Sequence, residues 1–224
     1  MLRAEGLCHS FGAVRGLDDV SFNVQPGQTL AVFGPNGAGK TTLLKVLAGL
    51  IQPQRGSAHV EGGRRAIGWI GHQPQLYGQL TLWENLRFWA SLYDVPESEF
   101  LLREDDLLFR LGLQNHEHRR VNELSRGLVQ RAAIARALIH DPRVLLLDEP
   151  FTGLDRMAAA ELREILSEEA AEGRASVLVT HNVDEGAELA THIAFMRAGR
   201  VVHFAPRAGR GPEQVGEDYR NAIA

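Results

Sequence analysis

The sequence predicts an α/β fold in which a parallel central sheet is joined to an antiparallel β subdomain and interrupted by an inserted α-helical subdomain. Three observations lead there. The stretch Gly34-Pro35-Asn36-Gly37-Ala38-Gly39-Lys40-Thr41-Thr42 fits the G-x-x-x-x-G-K-[ST] phosphate loop. It stands between an apolar run, Thr29 to Phe33, and a helical one, Leu43 to Leu47, which is the strand, loop and helix order that the motif requires. Two later runs, Val144 to Leu147 and Ser176 to Thr180, have the buried character of strands covered on both faces. From Pro74 to about Asn122 the apolar spacing turns helical instead.

Taken in order, Leu2 to Phe33 alternates apolar and polar residues between turn signals such as Pro26-Gly27, as antiparallel strands do. After the first helix, Pro53, Gly56, Gly62 and Gly63 punctuate a hairpin-like region, and Ala66 to Ile70 reads as a strand ending at Gly71-His72-Gln73-Pro74. Thr81 to Tyr93 has helical spacing, with Thr81 as N-cap and Glu84 completing a capping box. Glu97 to Leu111 reads as a second helix, and Ser125 precedes a third pattern, Val129 to His140. Together these make a helical subdomain at about residues 74–142. A long helix from about Arg156 to Ala171 and a hairpin about Ala198-Gly199 follow. The tail at about residues 206–224, rich in Gly, Arg and Glu, reads as loosely ordered.

At 224 residues the chain suits one domain, residues 1–224, and is too short for two tandem nucleotide modules. A net charge of −4 and a pI near 6.1 argue against a nucleic-acid binder that works by neutralising phosphates. Lys40 and Lys45, the only lysines, stand together in the phosphate loop and its helix. Cys8 is the only cysteine, which excludes an internal disulfide and a C-x-x-C pair and fits a reducing, cytoplasmic setting. The N-terminus lacks a leader pattern and no apolar run reaches about 18 residues, so a membrane process would place the membrane part in another chain.

The candidate chemistry begins at the loop. Its glycines turn successive N–H groups inward as an anion nest at a helix start. Lys40 is placed to reach the β/γ-phosphates and Thr41 to offer a hydroxyl to Mg²⁺. Asp148, at the end of a buried strand, suits support of the same cation, and Glu149 suits polarising a water aimed at the γ-phosphate. His181 ends the next strand, either sensing that phosphate or capping the helix that follows. Gln73 ends another, with an amide able to bind both Mg²⁺ and water. Phe11, in Cys8-His9-Ser10-Phe11-Gly12, either stacks on adenine or fills a strand. Ser125, as an N-cap, would aim its hydroxyl and the first helical amides outward as a second anion site. Because the loop surrounds its own nucleotide, that second site would serve the nucleotide of another copy.

These motifs, in this order, resemble the ATP-binding subunit of an ABC transporter over roughly Leu2 to Phe204. The resemblance implies a P-loop NTPase with an ABC-type core that hydrolyses ATP with Mg²⁺. It implies Phe11 at the adenine, Gly34 to Thr42 as Walker A and Gln73 as the Q-loop glutamine. It also implies Leu124 to Leu128 as the signature, Val144 to Glu149 as Walker B with Glu149 the catalytic carboxylate, Asp155 in the D-loop and His181 as the switch histidine. The signature departs from the usual L-S-G-G-Q: Arg126 replaces the first Gly and Leu128 the Gln, while Ser125 and Gly127 stand. Arg126 could add charge toward phosphate.

Within the family, Trp69-Ile70-Gly71-His72-Gln73-Pro74, Leu80-Thr81, Glu84-Asn85-Leu86-Arg87-Phe88 and Glu149-Pro150-Phe151-Thr152-Gly153-Leu154-Asp155 are similar to the haem exporter subunit of bacterial cytochrome c maturation. Multidrug-type exporters share parts of these strings. His72 is read as structural and not as a haem ligand. The implied partners are a second copy, or a similar chain, and an integral membrane subunit on the cytoplasmic face of the cell membrane. Its cytoplasmic helix would enter a groove at Trp83, Phe88 and Trp89 unless those aromatics are simply core. No nucleic-acid partner is expected. Rival readings are a soluble ABC ATPase acting on nucleic acid, which would resemble two linked modules or carry a coiled coil, and a small-molecule kinase, which leaves Glu149, His181 and the Ser125 helix unexplained together.

Overall fold

The structure is a computed structural model that describes residues 1–223. β1 (Leu2–Phe11) and β2 (Val14–Val24) form an antiparallel pair. The glycine-punctuated stretch after the first helix is not a hairpin. It supplies a single strand, β4 (Arg55–Val60), which pairs antiparallel with the other edge of β1, followed by a short 3₁₀ turn at Gly63–Ala66. Gly56 lies inside that strand, where a Cβ would strike the Glu5 and Gly6 carbonyls, and only Gly62 and Gly63 turn the chain after it.

β3 (Thr29–Phe33), which precedes β4 in the chain, lies in the second sheet. That sheet holds β5 (Ile67–Ile70), β6 (Val144–Asp148), β7 (Ala175–Val179), β8 (His192–Arg197) and β9 (Arg200–Pro206), in the order β5-β6-β7-β3-β8-β9. All neighbours run parallel except the final pair, β8 with β9. Every residue of β3, β6 and β7 is buried, the result of helices covering both faces of a parallel sheet. Parallel pairing also brings the carboxyl ends of β3, β5, β6 and β7 to one edge, where such sheets hold ligands.

α1 (Lys40–Leu47) follows the loop. α2 (Leu82–Leu92) starts with the expected capping box: Glu84 N donates to Thr81 Oγ1 at 3.1 Å and Thr81 N to Glu84 Oε2 at 2.7 Å. α3 (Glu97–Arg110) and α4 (Arg126–Leu138) complete the helical subdomain. α4 begins three residues before the expected Val129, directly after Ser125, so the whole signature lies at its N-terminus. One side chain of α4 and one just beyond its end fasten it to β5 and α2. Arg136 donates to the Trp69 carbonyl and stacks on Trp89, 4.9 Å from the ring centre. His140 Nε2 donates to the Ile67 carbonyl at 3.1 Å and stacks on Tyr93, and burial pushes its pKa down to about 4. α5 (Arg156–Ala171) holds fully buried Glu169, which pairs with Arg110 of α3 at 2.7 Å and with Arg174, so the subdomain is tied to the core through ions as well as apolar contact.

α6 (Val183–Leu189) precedes β8, and the chain beyond β9 corrects the expectation of a loose tail. Pro212–Ile223 is α7. Val215 is fully buried and Tyr219 meets Phe195 edge-on at 5.4 Å, while Ala222 and Ile223 pack on the same cluster. Helical spacing gathers these four residues on one face, although Gly and charge dominate the composition. Removing two methyl groups with Val215→Ala should lower unfolding stability by roughly 2 kcal/mol, read by urea denaturation.

A second prediction concerns pH. Glu104 of α3 is buried, and one of its carboxylate oxygens finds no donor among the described residues. Burial, then the neighbouring Glu117 and Asp105, push its pKa up to about 7 from an ordinary 4.5. The folded state therefore keeps a proton that the unfolded chain releases, and this stability, complete below the unfolded value, is lost as pH rises through about 7. The urea midpoint should fall between pH 5 and pH 8, and Glu104→Gln should flatten that fall.

Candidate functional site

The phosphate loop is shaped by two close approaches. Gly39 has φ of 102°, and a Cβ there would run into the Gly16 carbonyl oxygen, while a Cβ at Gly34 would strike the Met196 carbonyl. Only glycine permits both. The loop is thus pressed between the start of β2 and the turn after β8, where Gly199 N also donates to the Ala38 carbonyl at 2.9 Å. Lys40 is 8% exposed. Its Nζ donates to the carbonyls of Gly34 at 2.7 Å and Pro35 at 3.1 Å. Burial lowers its pKa, against the opposing pull of the Glu149 and Asp148 carboxylates.

Across from the loop, Asp148 ends β6, and Thr41 Oγ1 donates to its Oδ1 at 3.5 Å. Burial raises the Asp148 pKa, the Thr41 hydrogen bond opposes this and the adjacent Glu149 charge adds to it. Glu149 has φ of 53°, left-handed backbone that a non-glycine residue adopts only when its surroundings impose it. Its own N–H donates to the Val179 carbonyl at 2.8 Å, and its Oε2 accepts from Thr180 Oγ1 at 3.2 Å and from His181 Nδ1 at 2.9 Å. The ends of β6 and β7 therefore fix the carboxylate jointly. Thr180 was not among the residues expected here. Its signal was its position, a hydroxyl one residue before His181.

Loop, Asp148 and Glu149 line a cleft of about 460 Å³ together with Phe11, Val14, Arg15, Gly16 and His72. Phe11 is 52% exposed and meets His9 edge-on at 4.7 Å, so its ring is available at the cleft and not consumed as strand core. Just past the end of β5 both His72 and Gln73 are exposed, and it is His72, not the expected Gln73, that lines the cleft.

Ser125, Arg126 and Gly127 are not among the residues that line this cleft. Ser125 caps α4, its Oγ accepting from Leu128 N at 3.4 Å, and it is exposed. The Arg126 guanidinium lies over Gly153, where a Cβ would overlap it. Asp155 caps α5, accepting from Ala158 N at 2.9 Å. Of the groove aromatics, Trp83, Phe88 and Trp89 are all half-buried. Trp83 meets Phe100 of the core, and Phe88 packs against exposed Tyr77 at 5.1 Å. Among the described residues no helix is long and apolar enough to cross a membrane.

Comparison with known proteins agrees with this geometry. The ABC transporter family model matches residues 17–152. The lantibiotic transport ATP-binding protein SrtF of Streptococcus pyogenes is 36% identical over all of this chain and 97% of its own length. The phosphonates import ATP-binding protein PhnC of Maricaulis maris is 35% identical over 97% of this chain and 92% of its own. A solved ATP-binding subunit of an ABC transporter superposes with a TM-score of 0.88 at 29% identity, covering 98% of this chain and 99% of that one. The chain belongs to the ABC transporter family, as an ATP-binding subunit with the family's ATPase domain.

Proposed function

We propose that two copies of this chain close head to tail around two ATP molecules, each site combining the phosphate loop of one copy with Ser125 to Gly127 of the other, and so drive a separate membrane subunit. The observation that carries the reading is the division of parts: the phosphate loop, Asp148 and Glu149 line one cleft, with His181 bonded to Glu149, while the capped N-terminus of α4, an anion site by its dipole and free amides, lines no part of it. A two-fold arrangement makes both sites equivalent.

In each site the loop amides and Lys40 would hold the phosphates and Phe11 the adenine. Glu149, oriented by Thr180 and His181, would take a proton from the attacking water, and His181 and Gln73 would bear on the γ-phosphate side. The Thr41 and Asp148 oxygens suit a hard cation. No group of three or more His, Cys, Asp or Glu is arranged to hold a metal ion among the described residues, so Mg²⁺ would draw its other ligands from phosphate and water. Mg²⁺, when bound, neutralises charge on the β- and γ-phosphates. ATP favours the closed pair because only there are the γ-phosphate charges contacted from both sides, and hydrolysis removes that difference.

The membrane partner would dock at the Tyr77, Phe88 and Trp83 surface, placing the subunit peripherally at the membrane, and the net charge of −4 speaks against nucleic acid. Haem export finds no support among these relatives: SrtF and PhnC, nearly equal in identity to this chain, carry the names of different cargoes. Exporter-type transport remains the companion proposal. Glu149→Gln should keep ATP affinity, lower turnover at least a hundredfold and, with saturating ATP, run as a stable dimer in size exclusion with light scattering. A monomer under those conditions with full turnover would refute the proposal.

A further inference from the structure

We propose that Arg15 is a further nucleotide-binding residue, which grips the α-phosphate between the base-stacking ring and the phosphate loop. The inference rests on the reading of this cleft as the ATP site.

Two observations place it. Arg15 lines the cleft with Phe11 and the loop. Its neighbour Gly16 stands where those two ends meet: a Cβ there would lie 3.2 Å from Thr42 Cγ2 and 3.3 Å from Phe11 Cε2. The portion of a nucleotide that spans this gap is the ribose and the α-phosphate, and only the phosphate is anionic.

The guanidinium is also anchored with charge to spare. Arg15 Nη1 donates to Asp18 Oδ2 at 2.5 Å, and Arg200 Nε donates to the same oxygen at 2.6 Å. One carboxylate therefore serves two guanidiniums, leaving a surplus positive charge. Only Arg15 of the two borders the cleft. Asp18 is half-buried while the Arg15 side chain is 60% exposed, and Asp18 is the one carboxylate that Arg15 meets among the described residues. A guanidinium fork matches phosphate oxygens with paired N–H donors.

The anchor moves with the loop. Asp18 N donates to the Gly199 carbonyl at 2.8 Å, and Gly199 N donates to the Ala38 carbonyl of the loop at 2.9 Å. Asp18 is thus a positioning residue that presets Arg15 relative to the phosphate cradle. As a plain surface ion pair within β2, by contrast, Arg15 and Asp18 would contribute little.

Binding of ADP, AMP and adenosine to the full-length chain, measured by calorimetry at fixed salt, tests the assignment without hydrolysis. Arg15→Ala should weaken ADP and AMP by about tenfold each, the scale of one charge-assisted hydrogen bond, and leave adenosine unchanged. Arg15→Lys should recover part of the loss, and Arg15→Gln, which retains the apolar stem, should reproduce the loss if the alanine variant folds poorly. Lys40→Ala should weaken ADP and spare AMP. Unchanged ADP and AMP affinities in Arg15→Ala would overturn the proposal, as would a loss confined to ADP or a loss shared equally by adenosine. A wild-type chain that binds no ADP would overturn the reading of the cleft as well. Normal wild-type binding with an inert Arg15→Ala overturns this inference alone.

Discussion

Lys40 Nζ donates to the carbonyl oxygens of Gly34 and Pro35 in its own loop, and this internal solvation makes the rest of the site possible. A buried ammonium without partners would be costly. Two carbonyls meet that cost before any nucleotide arrives, and they hold the loop in the curved form in which its amides point inward. The glycines serve the same end from outside, letting the loop sit against the Gly16 and Met196 carbonyls. The cradle is therefore formed in advance, and binding need not order it, which is where preorganised sites gain affinity.

Around that cradle the parallel sheet does the positioning. Because β3, β6 and β7 pair in parallel with aligned registers, their ends deliver loop, Asp148, Glu149 and His181 to one edge, though these lie far apart in the chain. The left-handed backbone at Glu149 turns its carboxylate toward Thr180 and His181. Strain of this sort survives only where neighbours impose it, and here the Glu149 N–H bond to Val179 and two side-chain donors do so. The signature helix is held differently, by Arg136 and His140 on β5 and α2, which ties the segment that begins at Ser125 to α2.

Much of this was legible in the sequence because the motifs are local. The phosphate loop, the buried strand ending in Asp148-Glu149 and the Thr81 capping box each fit within a few residues, and periodicity marked the helices between them. What stayed hidden depends on residues distant in the chain. Composition masked α7, whose four apolar residues find their partners on Phe33, Phe195 and Ala187. The pairing of β4 with β1 bridges about 50 residues and looks like a hairpin from within. Arg15 carried no motif; its place in the cleft follows from Gly16 meeting Thr42 and Phe11, and its anchor Asp18 is shared with Arg200 at the far end of the chain. Arg126, legible only as a departure from L-S-G-G-Q, lies over Gly153 of the segment between Glu149 and Asp155.

The central claim is that each site is shared between two copies, and a linked dimer of this chain tests it most directly. With Lys40→Ala and Ser125→Arg both placed in one copy, each site loses one essential part, and neither should occlude ATP. With Lys40→Ala in one copy and Ser125→Arg in the other, both defects fall in a single site and the other is whole, so one nucleotide per dimer should be occluded. The opposite pattern, one nucleotide retained when both changes share a copy and none when they are split, would show that loop and signature act within the same chain and would contradict the account.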